Sequence, residues 1–263
     1  MKFLLFGFGI FVLGPGLWLQ PARLILHAHN DYEKEDPLVG ALNHGITQIE
    51  ADIFLFRGRL VVSHIPFRLE SKPSLDELYF KPLERMQQEK RLGGPSGKKI
   101  CLVIDMKHAD PAVMDSLRAL VIRKKSLCVG EEAAVRIILS GGAGRHLLRA
   151  EDTLYFGLDD NLMALWEAKH PPDRYTRQAS MSWNAFRNRY LQNCSGKDCD
   201  SIVRNITGWF KEKAIPLRLY AAGNRPRHWK RLADWGFTVI NVDRYARAAR
   251  WLKKYQRLTL QTQ

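Results

Sequence analysis

Short apolar runs with strand-like patterns alternate with helical patterns along most of the chain. Runs rich in β-branched and aliphatic residues are typical of buried strands, and apolar residues three and four positions apart indicate helices that cover them. Eight strand–helix units follow one another after residue 23. The predicted strands lie at 24–28, 48–54, 99–106, 134–140, 154–158, 179–183, 216–221 and 237–242.

Two helix starts carry recognisable capping signals. Ser74 followed by Glu77 is a capping box and predicts a helix over 74–88. Pro111 suits the first turn of a helix over 110–125. Further helices are predicted at 37–44, 160–169, 227–235 and 245–255, with two more around a cysteine loop within 184–213.

The order of these elements predicts the fold class. Strands that alternate with helices form parallel sheets, and eight such units close a (β/α)8 TIM barrel. The 263 residues of the chain fit one such domain, which typically needs about 250 residues. An α/β TIM barrel is therefore the favoured prediction, and an open doubly wound sheet is the alternative. The turn signal Arg57-Gly58-Arg59 before the run 60–63 predicts a hairpin or an extension of the second strand.

The first 22 residues differ from the rest. Met1-Lys2 is a basic start, and the run 3–19 contains no charged residue and is broken by Gly14-Pro15-Gly16. With Ala22 as a small residue at a cleavage point, this pattern predicts a signal peptide or an N-terminal anchor over 1–22. The barrel is then expected over 23–263. The protein is predicted to be exported: secreted, periplasmic or membrane-associated.

The chain is strongly basic, with 41 Lys and Arg against 27 Asp and Glu, a formal net charge of +14. The positive electrostatic potential that results favours anionic partners, here a phosphodiester or phospholipid substrate and an anionic membrane surface. No nucleic acid is expected, because zinc-finger spacing and RNA-recognition aromatic motifs are absent from the sequence. A monomer is expected.

Four cysteines allow three pairings when all are bridged. Cys194 and Cys199 frame a short polar loop, and in an exported protein this spacing favours a disulfide between them. Cys101 lies within an apolar strand and is expected to be a buried free thiol. The sequence leaves the state of Cys128 open.

Carboxylates cluster on the second predicted strand. Glu50 and Asp52 are two residues apart, so both side chains point to one side of the strand. Asp105 ends the next strand, and function in a parallel barrel lies at the carboxyl-terminal strand ends. One divalent cation would neutralise such a group, and oxygen ligands suit Mg²⁺ or Ca²⁺. A pair of surface carboxylates on an edge strand is the alternative interpretation.

Histidines also follow strand ends. His27 and His29 share one side if the first strand continues through them, and His64 closes the run 60–63. Histidine suits proton transfer because its pKa lies near neutrality. A single histidine would more often be structural.

These motifs resemble a known superfamily. The segments "LILHAHNDYE", "GITQIEADIFLFRGRLVVSH" and "CLVIDMK" resemble the phosphatidylinositol-specific phospholipases C and the glycerophosphodiester phosphodiesterases. They are closest to an uncharacterised branch with the pattern HxHNDY, and are similar also to sphingomyelinase D. The resemblance implies a PLC-like phosphodiesterase barrel and a metal-dependent phosphoric diester hydrolase with histidine acid–base catalysis.

The resemblance implies catalytic roles for the histidines. A first-motif histidine acts as general base or acid, with His64 as its partner. Alignment on His-Asn selects His29, and alignment on the strand end selects His27. The His-Arg-Gly of the glycerophosphodiesterases is here His27-Ala28-His29, so the arginine that binds phosphate is missing from the motif.

The resemblance also implies the ligands of the cation and the phosphate. The metal site maps to Glu50, Asp52 and Asp105, and Asn30 matches an asparagine that binds metal in the phospholipase pattern. Lys107 matches a lysine that contacts the phosphate.

Two other functions fit part of the pattern. His-x-His after the first strand also opens amidohydrolase-type barrels, but these need further histidines after strands five and six, where Asp159 and Trp183 stand instead. A non-catalytic cationic barrel that binds anionic membranes is the second alternative. The complete set of acids and histidines favours the enzyme.

Overall fold

The computed structural model describes residues 24–92, 99–129, 133–169 and 171–261. Within these ranges nine strands form one sheet in the order β1-β9-β8-β7-β6-β5-β4-β2-β3, and β1 also pairs with β2. Eight parallel strands therefore close into a barrel, and the predicted (β/α)8 fold is confirmed. The strands are β1 (Ile25–Ala28), β2 (Gln48–Phe56), β3 (Arg59–Val62), β4 (Ile100–Met106), β5 (Val135–Gly141), β6 (Phe156–Asn161), β7 (Thr176–Ser182), β8 (Leu217–Tyr220) and β9 (Val239–Val242).

The additional strand β3 pairs antiparallel with the end of β2. Arg57 and Gly58 both have positive φ, as a two-residue hairpin turn requires. The hairpin predicted from the turn signal is thus present. It returns the chain to the barrel mouth, so that His64 follows β3 close to Asp52.

Helices cover the outside of the barrel. In the described ranges they are α1 (Val39–Asn43), α2 (Lys81–Gln88), α3 (Pro111–Arg123), α4 (Lys125–Cys128), α5 (Leu162–Ala168), α6 (Trp183–Phe186), α7 (Gly196–Glu212), α8 (Pro226–Asp234) and α9 (Tyr245–Gln261). None of these helices combines the length and the apolar character that a membrane crossing needs. The predicted N-terminal signal or anchor, residues 1–22, lies outside the described residues.

Local signals explain two helix starts. The backbone N–H of Ser74 donates to Glu77, and the N–H of Glu77 donates to Ser74 Oγ, as a capping box requires. The turn that follows is π-helical over Asp76–Phe80 before α2 begins. Asp110 accepts a hydrogen bond from Ala112 N and caps α3.

The alternation of side chains along the strands separates two environments. On β2 the apolar residues Ile49, Ala51 and Ile53 belong to the hydrophobic core beneath the helices. Gln48, Glu50 and Asp52 have the opposite parity and are also buried. Because parallel strands place alternate side chains inside the barrel, this second set lines the interior. The barrel interior is therefore polar below its mouth.

Candidate active site

A polar cavity opens at the carboxyl-terminal end of the barrel. Strand register explains its composition, since Asp52 pairs with Asp105 and Asp105 with Ser140 at one level. The cavity contains every predicted catalytic, metal and phosphate residue except His27. Among the residues that line it are His29, Asn30, Glu50, Asp52, His64, Asp105, Lys107, Ser140, Asn161, Ser180, Arg218 and Tyr220.

His29 lies directly after β1 on one side of the cavity. Its Nδ1 is 3.0 Å from Asp243 Oδ1, and Asn224 Nδ2 donates to the other oxygen of Asp243 at 2.6 Å. The hydrogen bond with Asp243 raises the pKa of His29, and the same contact lowers the pKa of Asp243. Because Asp243 engages Nδ1, Nε2 is the nitrogen available for proton transfer.

His64 is held in the same way by another carboxylate. Its Nδ1 is 2.9 Å from Asp52 Oδ2, and the hydroxyl of Tyr32 donates to that oxygen at 2.8 Å. The imidazole itself is about half exposed, with a side-chain exposure of 53%. His64 therefore also presents Nε2 to its surroundings.

Lys107 joins the carboxylates of neighbouring strands. Its Nζ lies 2.5 Å from Asp52 Oδ2 and 2.6 Å from Asp105 Oδ2. Ser140 Oγ donates to the other oxygen of Asp105 at 2.9 Å. Burial acts to lower the pKa of Lys107, but the hydrogen bonds with Asp105 and Asp52 outweigh it and raise the pKa. The lysine is thus an ammonium ion between two acidic groups.

Glu50 is contacted by Asn30 on the cavity side and by Arg218 on the side of the barrel interior. Asn30 adopts the left-handed conformation that asparagine tolerates, and its N–H donates to Glu50 Oε2 at 3.2 Å. Burial acts to raise the pKa of Glu50, but the positive charge of Arg218 acts against it, and the pKa lies below its ordinary value. Glu50 is therefore a buried carboxylate at the cavity floor.

The donors predicted for a divalent cation share this cavity. Glu50, Asp52, Asp105 and Asn30 all line it, and carboxylate and amide oxygens suit Mg²⁺ or Ca²⁺. As the side chains stand, the described residues contain no group of three or more His, Cys, Asp or Glu side chains arranged to hold a metal ion. The oxygen donors are of the chemical type that suits such a cation, and the ammonium of Lys107 lies between Asp52 and Asp105.

His27 lies apart from the cavity, although it was expected among the catalytic histidines. It is 0% exposed. Its Nδ1 is 3.3 Å from Gln48 Oε1, and its Nε2 is 2.8 Å from Arg218 Nη1. Burial and the charge of Arg218 lower the pKa of His27. Position thus distinguishes the two first-motif histidines: His29 faces the cavity, and His27 lies beneath it.

The sequence patterns do not single out three buried polar residues below the cavity. These are Asp159, Gln178 and Arg218, which hydrogen-bond to one another across the barrel. A signal was present for Arg218, because it stands between Leu217 and Leu219 in a short buried strand. A charged residue at such a position is rarely unpaired.

Two of the four cysteines form a disulfide and two are free thiols. Cys194 and Cys199 form a disulfide with Cα atoms 5.2 Å apart. Cys101 and Cys128 are free. Burial raises the pKa of Cys101 to about 11 and that of Cys128 to about 12. Both thiols are therefore protonated at neutral pH.

The barrel resembles those of solved glycerophosphodiester phosphodiesterases. A glycerophosphodiester phosphodiesterase from Parabacteroides distasonis superposes with a TM-score of 0.57 at 15% identity, over 90% of this chain and 99% of that one. The enzyme of the same description from Agrobacterium tumefaciens gives a TM-score of 0.52 at 13% identity, over 87% and 99%. At these identities the likeness establishes the fold.

A family match adds a particular domain type. Residues 20–127 match the AIM6-like phosphodiesterase domain. The chain is 35% identical over 104 residues to Altered inheritance of mitochondria protein 6 of Eremothecium gossypii, an alignment covering 34% of this chain and 27% of that protein. It is 31% identical over 119 residues to the Arthroderma benhamiae homolog, covering 36% and 38%.

The chain thus aligns with well under half the length of these curated relatives. The matched domain nevertheless contains the motifs from His27 to Lys107. The predicted resemblance to the phospholipase C and glycerophosphodiesterase superfamily is confirmed.

Proposed function

We propose that the protein is a metal-dependent phosphoric diester hydrolase in which His29 and His64 transfer protons. The observation that carries the proposal is the pairing of two cavity histidines with separate carboxylates. Asp243 engages Nδ1 of His29, and Asp52 engages Nδ1 of His64. Each imidazole then has one nitrogen, Nε2, free to take up or release a proton.

The reaction needs one proton acceptor and one proton donor. A hydroxyl of the substrate or a water molecule attacks phosphorus, and one histidine removes its proton. The P–O bond to the leaving group breaks, and the other histidine protonates the departing alkoxide. Attack by a neighbouring substrate hydroxyl gives a cyclic phosphate, and attack by water gives a monoester.

The cavity supplies positive charge for the phosphoryl oxygens. When bound by Glu50, Asp52, Asp105 and Asn30, a Mg²⁺ or Ca²⁺ ion would act as a Lewis acid toward a phosphate oxygen. Lys107, once displaced from the carboxylates that it now contacts, would then bind another phosphoryl oxygen.

The cavity walls favour a hydroxyl-rich head group. Beyond the acids and histidines, Ser140, Asn161 and Ser180 offer hydrogen-bonding side chains. Tyr220 is the one aromatic ring among the described residues that line the cavity. Quaternary ammonium groups are recognised by cages of several aromatic rings. We therefore expect a polyol head group to be preferred over choline.

A substrate panel tests this function. Glycerophosphoinositol and glycerophosphocholine are incubated with the protein in Mg²⁺, in Ca²⁺ and in EDTA, and the products are followed by ³¹P NMR. We expect cation-dependent cleavage with the inositol diester turned over faster. Faster cleavage of the choline diester would refute the head-group assignment, and equal rates in EDTA would refute metal dependence.

The structure weighs against an amidohydrolase. Such barrels need histidine ligands after the fifth and sixth parallel strands. In the described residues the ends of β6 and β7 carry Asn161 and Ser182, and His29 and His64 are the histidines of the cavity. The remaining alternative, a cationic barrel without catalysis, is distinguished by its lack of turnover on every diester in the panel.

A further inference from the structure

Five buried polar side chains form a closed ring of hydrogen bonds beneath the cavity, here called the floor ring. Gln48 Nε2 donates to Gln178 Oε1 at 2.9 Å, and Gln178 Nε2 donates to Asp159 Oδ2 at 2.9 Å. Arg218 contacts Asp159 Oδ2 through Nη2 and His27 Nε2 through Nη1, both at 2.8 Å. His27 Nδ1 closes the ring at 3.3 Å from Gln48 Oε1. The ring connects five strands: β1, β2, β6, β7 and β8.

The donor chemistry of arginine fixes the direction of the ring. A guanidinium group has N–H donors and no acceptor. His27 Nε2 must therefore accept the hydrogen bond from Arg218, and Nδ1 carries the proton that is donated to Gln48. Both nitrogens of His27 are thus used inside the ring, and Nε2 also lies 3.4 Å from Glu50 Oε2. His27 has no nitrogen left for a substrate.

Arg218 also reaches the cavity floor. Its Nη1 lies 3.7 Å from Glu50 Oε1, while Asn30 N–H holds the other oxygen of Glu50 from above. Arg218 is 4% exposed and contributes to the lining of the cavity. A buried arginine in this place puts a fixed positive charge under the acidic cluster. The first-strand motif, with Ala28 after His27, carries no arginine that could do so.

We propose that Arg218 is a positioning residue of this active site, which fixes Nε2 of His27 as a hydrogen-bond acceptor and holds Glu50 at the cavity floor. It supplies from β8 the positive charge that the first-strand motif lacks. The role assigned to Glu50 rests on the proposed function. The arrangement of the floor ring does not, and the two parts are tested separately.

Substitutions at His27 separate positioning from proton transfer. Glutamine in His27→Gln keeps an acceptor for Arg218, whereas His27→Leu removes it at similar volume. We expect kcat of H27Q to stay within about tenfold of wild type and that of H27L to fall by about 100-fold, the range seen when a group that orients a site residue is removed. His29→Gln, which removes a proton carrier, should lose more than either. H27Q as inactive as H29Q would overturn the proposal.

Substitutions at Arg218 test separately its positive charge and the planar set of N–H donors of its guanidinium group. Arg218→Lys keeps the charge but cannot bind His27, Asp159 and Glu50 together, so we expect a loss in kcat of about tenfold, against about 100-fold for Arg218→Met. KM should change little because the role proposed for Arg218 is to position His27 and Glu50 and not to bind the substrate. Wild-type kcat in R218M, or a loss confined to KM, would overturn the proposal.

A matched control is available in Arg118, another buried arginine paired with Asp152 and Asp115 outside the cavity. Arg118→Met should lower the unfolding temperature and leave kcat of the folded fraction unchanged. An equal loss of kcat in R118M and R218M would mean that the effect of Arg218 is one of general stability. If R218M does not fold, R218K and the two His27 variants decide the question.

The floor ring is also testable without turnover. In ¹⁵N NMR of the wild-type imidazoles, His27 should show a protonated Nδ1 and an unprotonated Nε2, and R218K should alter the Nε2 signal. The opposite tautomer, a doubly protonated ring or a signal unmoved in R218K would overturn the proposal even if the protein cleaves no diester. Wild-type protein that shows the expected signals but no turnover would instead contradict the proposed function.

Discussion

The two cavity histidines differ in what holds them. Asp243, about 42% exposed, engages His29, whereas Asp52, 1% exposed, engages His64 and Lys107. The sequence predicts both histidines from their strand-end positions. It cannot reveal their carboxylate partners, because Asp243 lies 214 residues from His29. Local patterns therefore identify the proposed proton carriers, and the closed barrel supplies the carboxylates that contact them.

Asp243→Asn tests the orientation of His29. Asparagine keeps an acceptor but removes the charge that raises the pKa of His29. We expect the limb of the kcat/KM profile that reports His29 to move to lower pH. Identical profiles for D243N and wild type would contradict this role.

Stability should depend on pH in a matching way. A raised pKa contributes stability that is present below the unfolded value of about 6.5 and is lost as pH rises through the folded pKa. The lowered pKa of Asp243 contributes stability that is lost only as pH falls through its folded value. Urea unfolding should therefore show a larger difference between wild type and D243N near pH 5.5 than at pH 9. A difference that grows with pH would be inconsistent with the pair.

Lys107→Met tests the competition for the acidic cluster. Removing the ammonium that lies between Asp52 and Asp105 should tighten divalent cation binding, measured by Mn²⁺ titration without substrate. Turnover should fall by about 10–100-fold because a phosphate contact is lost. Unchanged cation affinity in K107M would show that the lysine does not compete for the site.

At the scale of elements, the end of β5 leaves no space for a side chain at Gly141. Gly141 has φ of 68°, and a Cβ atom there would collide with Asp105 Oδ1 and lie 2.7 Å from Met106 O. Gly141 thus lets Asp105 approach the neighbouring strand end. The glycine loop after β5 is evident in the sequence, but this contact is not.

Gly141→Ala should therefore lower both stability and turnover. The left-handed backbone alone costs alanine about 1 kcal/mol, and the collision moves Asp105 away from Lys107. Gly58→Ala is the matched control, because φ is 75° and no atom lies within 4 Å of the added Cβ. Denaturant unfolding should show a loss in both variants, whereas turnover should fall only in G141A. Equal turnover in the two would show that Asp105 is not disturbed.

Strand existence follows from the sequence better than strand position. The apolar run predicts a strand at 154–158, whereas β6 covers Phe156–Asn161. The shift arises because Asp159 faces the polar interior and the exposed Asn161 caps α5, and polar residues at a strand end resemble a loop. For the same reason the floor ring is not predictable: Gln48 and Gln178 are 130 residues apart and meet only after closure.

At the scale of the whole molecule, the net charge is +14, and part of this positive charge is concentrated on helix α9. Helix α9 contains no acidic residue, and Arg247, Arg250, Lys254 and Arg257 recur at helical spacing on its exposed side. Within the described residues none of the four makes an ion pair within 4.0 Å, whereas Lys230 of α8 pairs with Asp234. This basic face suits the predicted anionic membrane surface.

Charge reversal of Arg247, Arg250 and Arg257 to Glu should abolish binding to vesicles of phosphatidylcholine with 30% phosphatidylserine, while wild type binds in a salt-sensitive manner. This proportion of phosphatidylserine, about 30%, is chosen so that the vesicle surface is clearly anionic. Hydrolysis of a soluble diester should be unchanged.

Reversal of three exposed basic residues on α7, Lys197, Arg204 and Lys211, changes the net charge equally and is the control. It should retain most of the binding. Equal losses in the two triple variants would show that net charge, and not α9, determines membrane attraction.

The most direct test of the account is the initial rate of bis(p-nitrophenyl) phosphate hydrolysis by wild type, Glu50→Ala and His64→Ala, each with Mg²⁺ and with EDTA. We expect turnover by wild type with the cation, none in EDTA, and a loss of at least about 100-fold in either variant with the unfolding temperature retained. Full activity in either variant, or a wild-type rate that EDTA does not change, would contradict it.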